Sequence, residues 1–447
     1  MRGVSVVIAG AGLAGLTAAR HLTKKGALVT VIEARGRVGG RVHTTRQPFR
    51  FKQHAEAGGD LIDESQTEIC HLIAELGLRR AEILPGGFTT IRQVRSSRRI
   101  GGTKGWSELQ RRLQPEIRAF CLSEQRWDGG VADSLARESV AQWLDRVHAP
   151  KALRDVAVGM RGFFLADPHE LSLLALVDQF AEDGVPGGEK MFRIRGGNDR
   201  LTTSLAALLR PPVHLETMLR RVQQSAGGVT VTVESRGRLQ DLRADYLVCA
   251  LPAATLRDVV FEPGMGQLQR EAIVRLKYGA ATKTAFQFNR ATWRKRGKPR
   301  AYGTPLPIGA VWDGNEEQRS VAGILTLLAG GGASADTRAM LAEGGPSRIL
   351  RELTWLDLKK AEMIAWDSVS WENDPWSRGG YASFDTRFAP AARTWLARPF
   401  GRVFFAGEHT SLRWQGYMNG AVETGLRAAE EVAAHVRTQD SGLGTRD

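Results

Sequence analysis

Cysteine is scarce, with Cys70, Cys121 and Cys249 the only three in 447 residues. They lie far apart and without metal-ligand spacing, which excludes a disulfide framework or a thiolate metal site. Buried thiols in a reducing compartment are expected, and no metal. Long hydrophobic runs are missing too. No stretch of about 18 apolar residues occurs, so no membrane-spanning helix and no membrane partner are expected. The N-terminal VSVVIAGAG reads as a strand entering a glycine turn and leaves no room for a signal peptide, so the expected location is cytoplasmic. Acidic charge is the minority sign. The formal charge is +14, mostly from arginine, and such a balance can signal nucleic acid. Yet the basic stretches RQVRSSRR (92–99) and WRKRGKPR (293–300) lack the interleaved aromatics of a single-strand binder. No nucleic-acid module signature is present either. Both stretches are expected to be solvated loops or surface faces, with no nucleic-acid partner.

What remains is an ordinary globular composition, 42% apolar and 25% charged, able to bury a sizeable core. Residues 4–9 form a buried-strand run, 13–25 a helix stopped by Gly26, and 27–33 a second strand, which is a βαβ start. Amphipathic helix is predicted over 66–77 and mostly helix over 107–150. VTVTV (229–233) alternates like one strand of a hairpin. Short strands are predicted at 246–252, 286–288 and 309–312. AGGGAS (329–334) reads as a loop. GRVFFAGEHT (401–410) is a strand running into a glycine, and 420–436 is a final helix.

Between the first strand and helix, GAGLAG supplies Gly10, Gly12 and Gly15, with Leu13 and Ala14 between them. The glycines permit the turn, the close approach of a pyrophosphate and tight helix–strand packing, and the helix N-terminus offers free N–H groups to the anion. Glu33 ends the next strand, where a carboxylate accepts from ribose hydroxyls. An acid there disfavours a ribose phosphate and argues against NADP, while NAD and FAD stay equally open on this motif.

The stretch VIEARGRVGGR (31–41) separates them. With its Glu33, Ala34, Arg35, Arg37, Gly39, Gly40 and Arg41 it resembles the second motif of the flavin-dependent amine oxidases, which include monoamine and polyamine oxidases. The bacterial, monoamine oxidase-like type is the nearest pattern. The resemblance continues in AEAGGDLID (55–63), which looks like the loop beneath the flavin and carries Gly58, Gly59, Asp60 and Leu61. It extends through IRGGNDRLTTSLAALL (194–209) and through LETMLRRV (215–222), where Leu219 takes a position usually held by Val. It closes with FFAGEHT and WQGYMNGAVETG, carrying Gly407, Glu408, Gly416, Tyr417, Met418 and Ala421. It implies FAD, with Arg35 near the adenosine end and Arg41 near the pyrophosphate. Gly380 stands where covalent relatives have a flavin-bonding cysteine, which implies non-covalent FAD.

The resemblance also implies a fold. An α/β, Rossmann-like FAD-binding domain is expected from the discontinuous segments 1–85, 196–285 and 385–437. An α+β substrate domain of mixed sheet plus helices is expected from 86–195 and 286–384, and 438–447 is a tail. By resemblance Lys283 holds a water against the reactive flavin nitrogen, and Tyr381 and Tyr417 form an aromatic cage for the amine, with Trp414 packed beside the flavin or the cage. Phe163 and Phe164 are candidate pocket walls. The implied activity is oxidation of a small amine, with oxygen as acceptor. A homodimer is left open.

Three alternatives remain. An L-amino-acid oxidase would need a carboxylate clamp, for which Leu61 replaces the usual arginine and Arg161 is the substitute. A polyamine oxidase would use Asp63 for a distal ammonium, although Asp63 also reads as a loop acid capping the next helix. A flavin-bound protein without turnover is the third.

Overall fold

The computed structural model describes residues 1–94, 97–100, 104–182, 190–358 and 361–440. Val6, Val7, Ile8 and Ala9 are buried on both sides of their strand, as in the centre of a parallel sheet covered on both faces. Ser5–Ala9 pairs in parallel with Leu28–Ile32 on one edge and with Tyr246–Cys249 on the other. Val403–Phe405 adds the fourth strand. The sheet is therefore assembled from segments hundreds of residues apart. Helix Leu13–Lys24 lies against the last helix, Met418–Asp440, which begins two residues before the span expected for it. The expected α/β class with a Rossmann-like parallel sheet is the one observed.

A second sheet has seven strands in the order Met363–Ser370, Ala281–Phe288, Gly323–Gly330, Ala310–Asp313, Ala301–Gly303, Phe88–Val94 and Ser97–Ile100. It is antiparallel except where Ala301–Gly303 meets Phe88–Val94. Helices between Lys104 and Glu182 accompany it, with Trp106 and Trp143 wholly buried among them. Every residue of Ala281–Phe288 is buried, and this strand carries Lys283 to the cavity described below. The boundary expected after residue 285 falls inside it. The VTVTV hairpin forms as expected, with Gly228–Ser235 pairing antiparallel to Thr217–Ser225.

AGGGAS is not a loop. Strand Gly323–Gly330 passes into helix Gly332–Leu350 through a single residue, Gly331 at φ +56°. A Cβ at Gly331 would lie 2.9 Å from Asp167 Oδ2, so glycine serves a tight junction there. In the basic stretch 293–300, Trp293 is core, Arg294 pairs with Asp313 and Arg300 with Glu316, and only Lys295–Lys298 are exposed. The exposure expected of 92–99 lies outside the described residues. Among the described residues no helix is long and apolar enough to cross a membrane, and Cys70, Cys121 and Cys249 are free thiols.

Candidate active site

The C-terminal ends of the parallel strands open onto a cavity of about 590 Å³ that reaches to the seven-stranded sheet. Ligands of open α/β sheets bind at this edge. Every candidate residue above lines the cavity except Gly15, Arg37, Asp63, Arg161 and Trp414.

The glycine turn has the shape a dinucleotide needs. Gly10 sits at φ +102°, and its backbone amide donates to Ile32 O. No atom lies within 4 Å of where a Gly12 Cβ would project, so that space belongs to the cavity. Helix Leu13–Lys24 begins there with no side-chain cap, and its first N–H groups remain available to an anion. Gly15 works behind the lining. A Cβ there would come within 1.9 Å of Gly10 O, so helix and strand close up only around a hydrogen. Glu33 is fixed at its strand end by accepting from Ala11 N at 2.8 Å and Arg35 N at 2.9 Å. These residues fit a dinucleotide cofactor.

Two arginines of the second motif hold distant segments together. Arg35 donates to Asp374 (2.5 Å) and Ser377 (2.8 Å). Arg41 Nη1 donates to Glu408 Oε1 (2.9 Å) and to Gly380 O (2.7 Å). The other Glu408 oxygen accepts from Gly416 N at 2.9 Å. The Arg41–Glu408 pair therefore ties the N-terminal loop to both segments that carry the tyrosines. Helix Met418–Asp440 starts at the cavity wall, and its positive end faces the interior.

At the cavity edge of the seven-stranded sheet, Lys283 Nζ donates to Asp60 Oδ2 and to Gly58 O, both at 2.9 Å. It also lies 5.1 Å from the Trp312 ring centroid. Asp60 accepts further from Arg193 Nε (2.5 Å) and Trp312 Nε1 (3.0 Å), and Arg193 reaches on to Glu317 at 3.2 Å. All of these side chains are buried. Burial lowers the Lys283 pKa, with Asp60 opposing it. Burial works against the Asp60 carboxylate as well, but Arg193 and Lys283 outweigh it and keep Asp60 below its ordinary range. Glu56 is pushed up to about 8 by burial and by the Asp60 charge, while it accepts from Asn198 N and Thr44 Oγ1.

Tyr381 donates to Phe163 O at 2.5 Å, and Tyr417 donates to Gln179 at 3.3 Å. Each hydroxyl is thus anchored away from its ring face. Burial raises the Tyr381 pKa above the usual phenol range, and Glu408 adds to it. Trp414 is buried behind Tyr417, edge-on at 5.8 Å between centroids. Phe163 packs edge-on against Phe88 at 4.8 Å. A Cβ at Gly380 would lie 2.4 Å from Leu165 Cδ1 and 2.8 Å from Ala281 Cβ, so a side chain there would require its neighbours to shift.

Two residues weighed for substrate charge lie off the cavity. Asp63 accepts from Gln66, the cap of helix Thr67–Glu75. Arg161 pairs with Asp167 and donates to the carbonyls of Pro305 and Leu306. Sequence reasoning passed over several lining or supporting side chains: Arg193, Trp312, Asp374, and the pair Asp178–Arg393 (3.3 Å) at the cavity's far end. Arg193 carried a legible signal, a charge inside the apolar run MFRI. The others depend on tertiary contacts that no local pattern reports.

A family model described as flavin containing amine oxidoreductase matches residues 13–433. Flavin-containing amine oxidase A of Equus caballus is 26% identical over 464 residues, covering 96% of this chain and 84% of the relative. Flavin-containing amine oxidase B of Sus scrofa is 27% identical over 465 residues, covering 96% and 85%. Among solved structures, cyclohexylamine oxidase from Brevibacterium oxydans IH-35A matches with TM-score 0.86 at 24% identity, covering 97% of this chain and 99% of that one. Wild-type putrescine oxidase bound to putrescine matches with TM-score 0.84 at 24% identity, covering 96% and 99%.

Proposed function

The chain belongs to the flavin-containing amine oxidoreductases, and from that premise we propose that it is an FAD-dependent oxidase of simple amines with an apolar or aromatic body. One observation carries the reading: a single cavity is lined by the glycine–arginine cradle, by Lys283, and by Tyr381 and Tyr417. Bound FAD supplies two-electron chemistry, in which hydride leaves the amine α-carbon, water hydrolyses the imine to aldehyde and ammonia, and oxygen is reduced to hydrogen peroxide.

The protein's own work is binding, orientation and exclusion of water. Gly12 and the start of helix Leu13–Lys24 take the pyrophosphate, Glu33 takes a ribose, and the start of helix Met418–Asp440 faces the flavin ring. With FAD bound, Lys283 would hold a water beside the flavin ring. Tyr381 and Tyr417 present ring faces to the amine nitrogen, a contact worth about 0.5–2 kcal/mol when desolvated. Phe163, Phe164 and Leu61 form apolar walls. Leu61 offers no partner to a carboxylate, and burying an unpaired anion costs several kcal/mol. That term is the larger, so substrate class is decided by the missing clamp and the cage tunes affinity. Asp63 lies outside the cavity lining, so it gives no support to a diamine reading. Gly380 offers no thiol to bond the flavin, which supports non-covalent FAD, and acid precipitation should leave it in the supernatant. Three free thiols, one of them exposed, support a reducing, cytoplasmic location.

The test is anaerobic addition of a panel of amines to the yellow holoprotein, followed by oxygen. Bleaching by at least one amine, then recovery with formation of peroxide, is expected. Flavin that no amine bleaches would favour the binding-protein alternative. Bleaching that oxygen does not reverse would make the enzyme a dehydrogenase.

A further inference from the structure

The loop and the strand that meet at the inner wall of the cavity carry charges that no single segment explains. Lys283 stands in a strand whose every residue is buried. A lone ammonium there would lose its hydration without return. Its direct anionic partner is Asp60, at 2.9 Å, and its remaining hydrogen bond goes to Gly58 O in the same loop. Asp60 is itself held from three sides, by Arg193, Trp312 and Lys283. Its backbone carbonyl accepts from Asn198 Nδ2 at 2.7 Å. This carboxylate can neither turn away nor follow the lysine.

The geometry points to Asp60 as the positioning residue for Lys283, fixing the direction of its Nζ and keeping it an ammonium beside the flavin site. The groups facing this pair are Arg193, whose charge opposes the ammonium, Glu317, which balances Arg193, and Glu56. Burial and the Asp60 charge favour the neutral form of Glu56, which leaves Asp60 as the anion that meets Lys283. The arrangement is balanced only while Asp60 is charged. The inference rests on the proposed function solely in setting FAD against Lys283.

The experiment follows the visible absorption of bound FAD with pH in the resting holoprotein, for wild type, Asp60→Asn, Lys283→Met and the double variant. Removing the opposite charge should lower the Lys283 transition by about one to three pH units, the usual effect of a close counter-charge. The shift should vanish in the Lys283→Met background. An unmoved transition in Asp60→Asn would overturn the proposal. So would an equal shift in the double variant, because Asp60 would then act on the flavin directly.

If Asp60→Asn fails to retain FAD, ¹⁵N-lysine NMR of the wild-type holoprotein decides, with Lys283→Met assigning the signal. An ammonium resonance at neutral pH is expected, and a neutral amine there would overturn the inference. Neither readout requires turnover. Failure of every amine to bleach the flavin would sink the proposed function while leaving this test intact.

Discussion

A lysine inside a fully buried strand is costly unless something returns what hydration supplied. Lys283 has Asp60, a backbone carbonyl and the Trp312 face, and its ammonium is thereby turned to the cavity wall. Lys283→Met keeps the volume and loses the charge. FAD should remain bound while anaerobic reduction by amine, or reoxidation by oxygen, slows by an order of magnitude or more, in line with loss of a positioned acid–base group. Unchanged rates in both half-reactions would make Lys283 a strand residue only. Glu56 is the neighbouring oddity. Its pKa of about 8 lies above the unfolded value, so the stability it contributes is full below about pH 4.5. That stability is lost as pH rises through about 8. Glu56→Gln should therefore flatten the fall in melting temperature between about pH 5 and pH 8. If wild type and variant fall in parallel, Glu56 is already ionised in the fold.

At the scale of elements, the site depends on close approaches that only glycine permits. Helix Leu13–Lys24 sits on strand Ser5–Ala9 because Gly15 has no Cβ to meet Gly10 O. Gly15→Ala should cost about 1–3 kcal/mol, the usual price of overpacking, and weaken FAD retention on gel filtration. An unchanged melting temperature and full FAD occupancy would contradict this. The same elements show what was legible in the sequence. The βαβ start, the hairpin and the final helix follow from periodicity and punctuation, because their burial pattern is local. The AGGGAS segment misled, since glycines that normally mark a loop here serve a strand-to-helix junction packed against Asp167. The cradle residues were legible because a phosphate site needs glycines at fixed spacing. Arg193 and Trp312 were not, because their role exists only once Met191–Ile194 and Ala310–Asp313 are brought to the loop that carries Asp60. Asp63 read as a pocket acid or as a helix cap; it lies outside the cavity lining, and the cap of the next helix is Gln66, whose side chain donates to Asp63.

At the scale of the whole molecule, the proposed preference for simple amines rests on the apolar wall around Leu61. The cavity walls are apolar around Leu61, Phe163 and Phe164, and Arg161 is committed elsewhere. The buried cation at the far end, Arg393, is paired with Asp178, so a substrate carboxylate would have to displace that partner. The most direct measurement is the rate of anaerobic flavin bleaching with matched pairs, phenethylamine against phenylalanine and tryptamine against tryptophan. The account predicts that the amine is faster in every pair, and that Tyr381→Ala and Tyr417→Ala slow the amine without releasing FAD. Faster bleaching by the amino acid in every pair would contradict it, and would place the enzyme with the amino-acid oxidases.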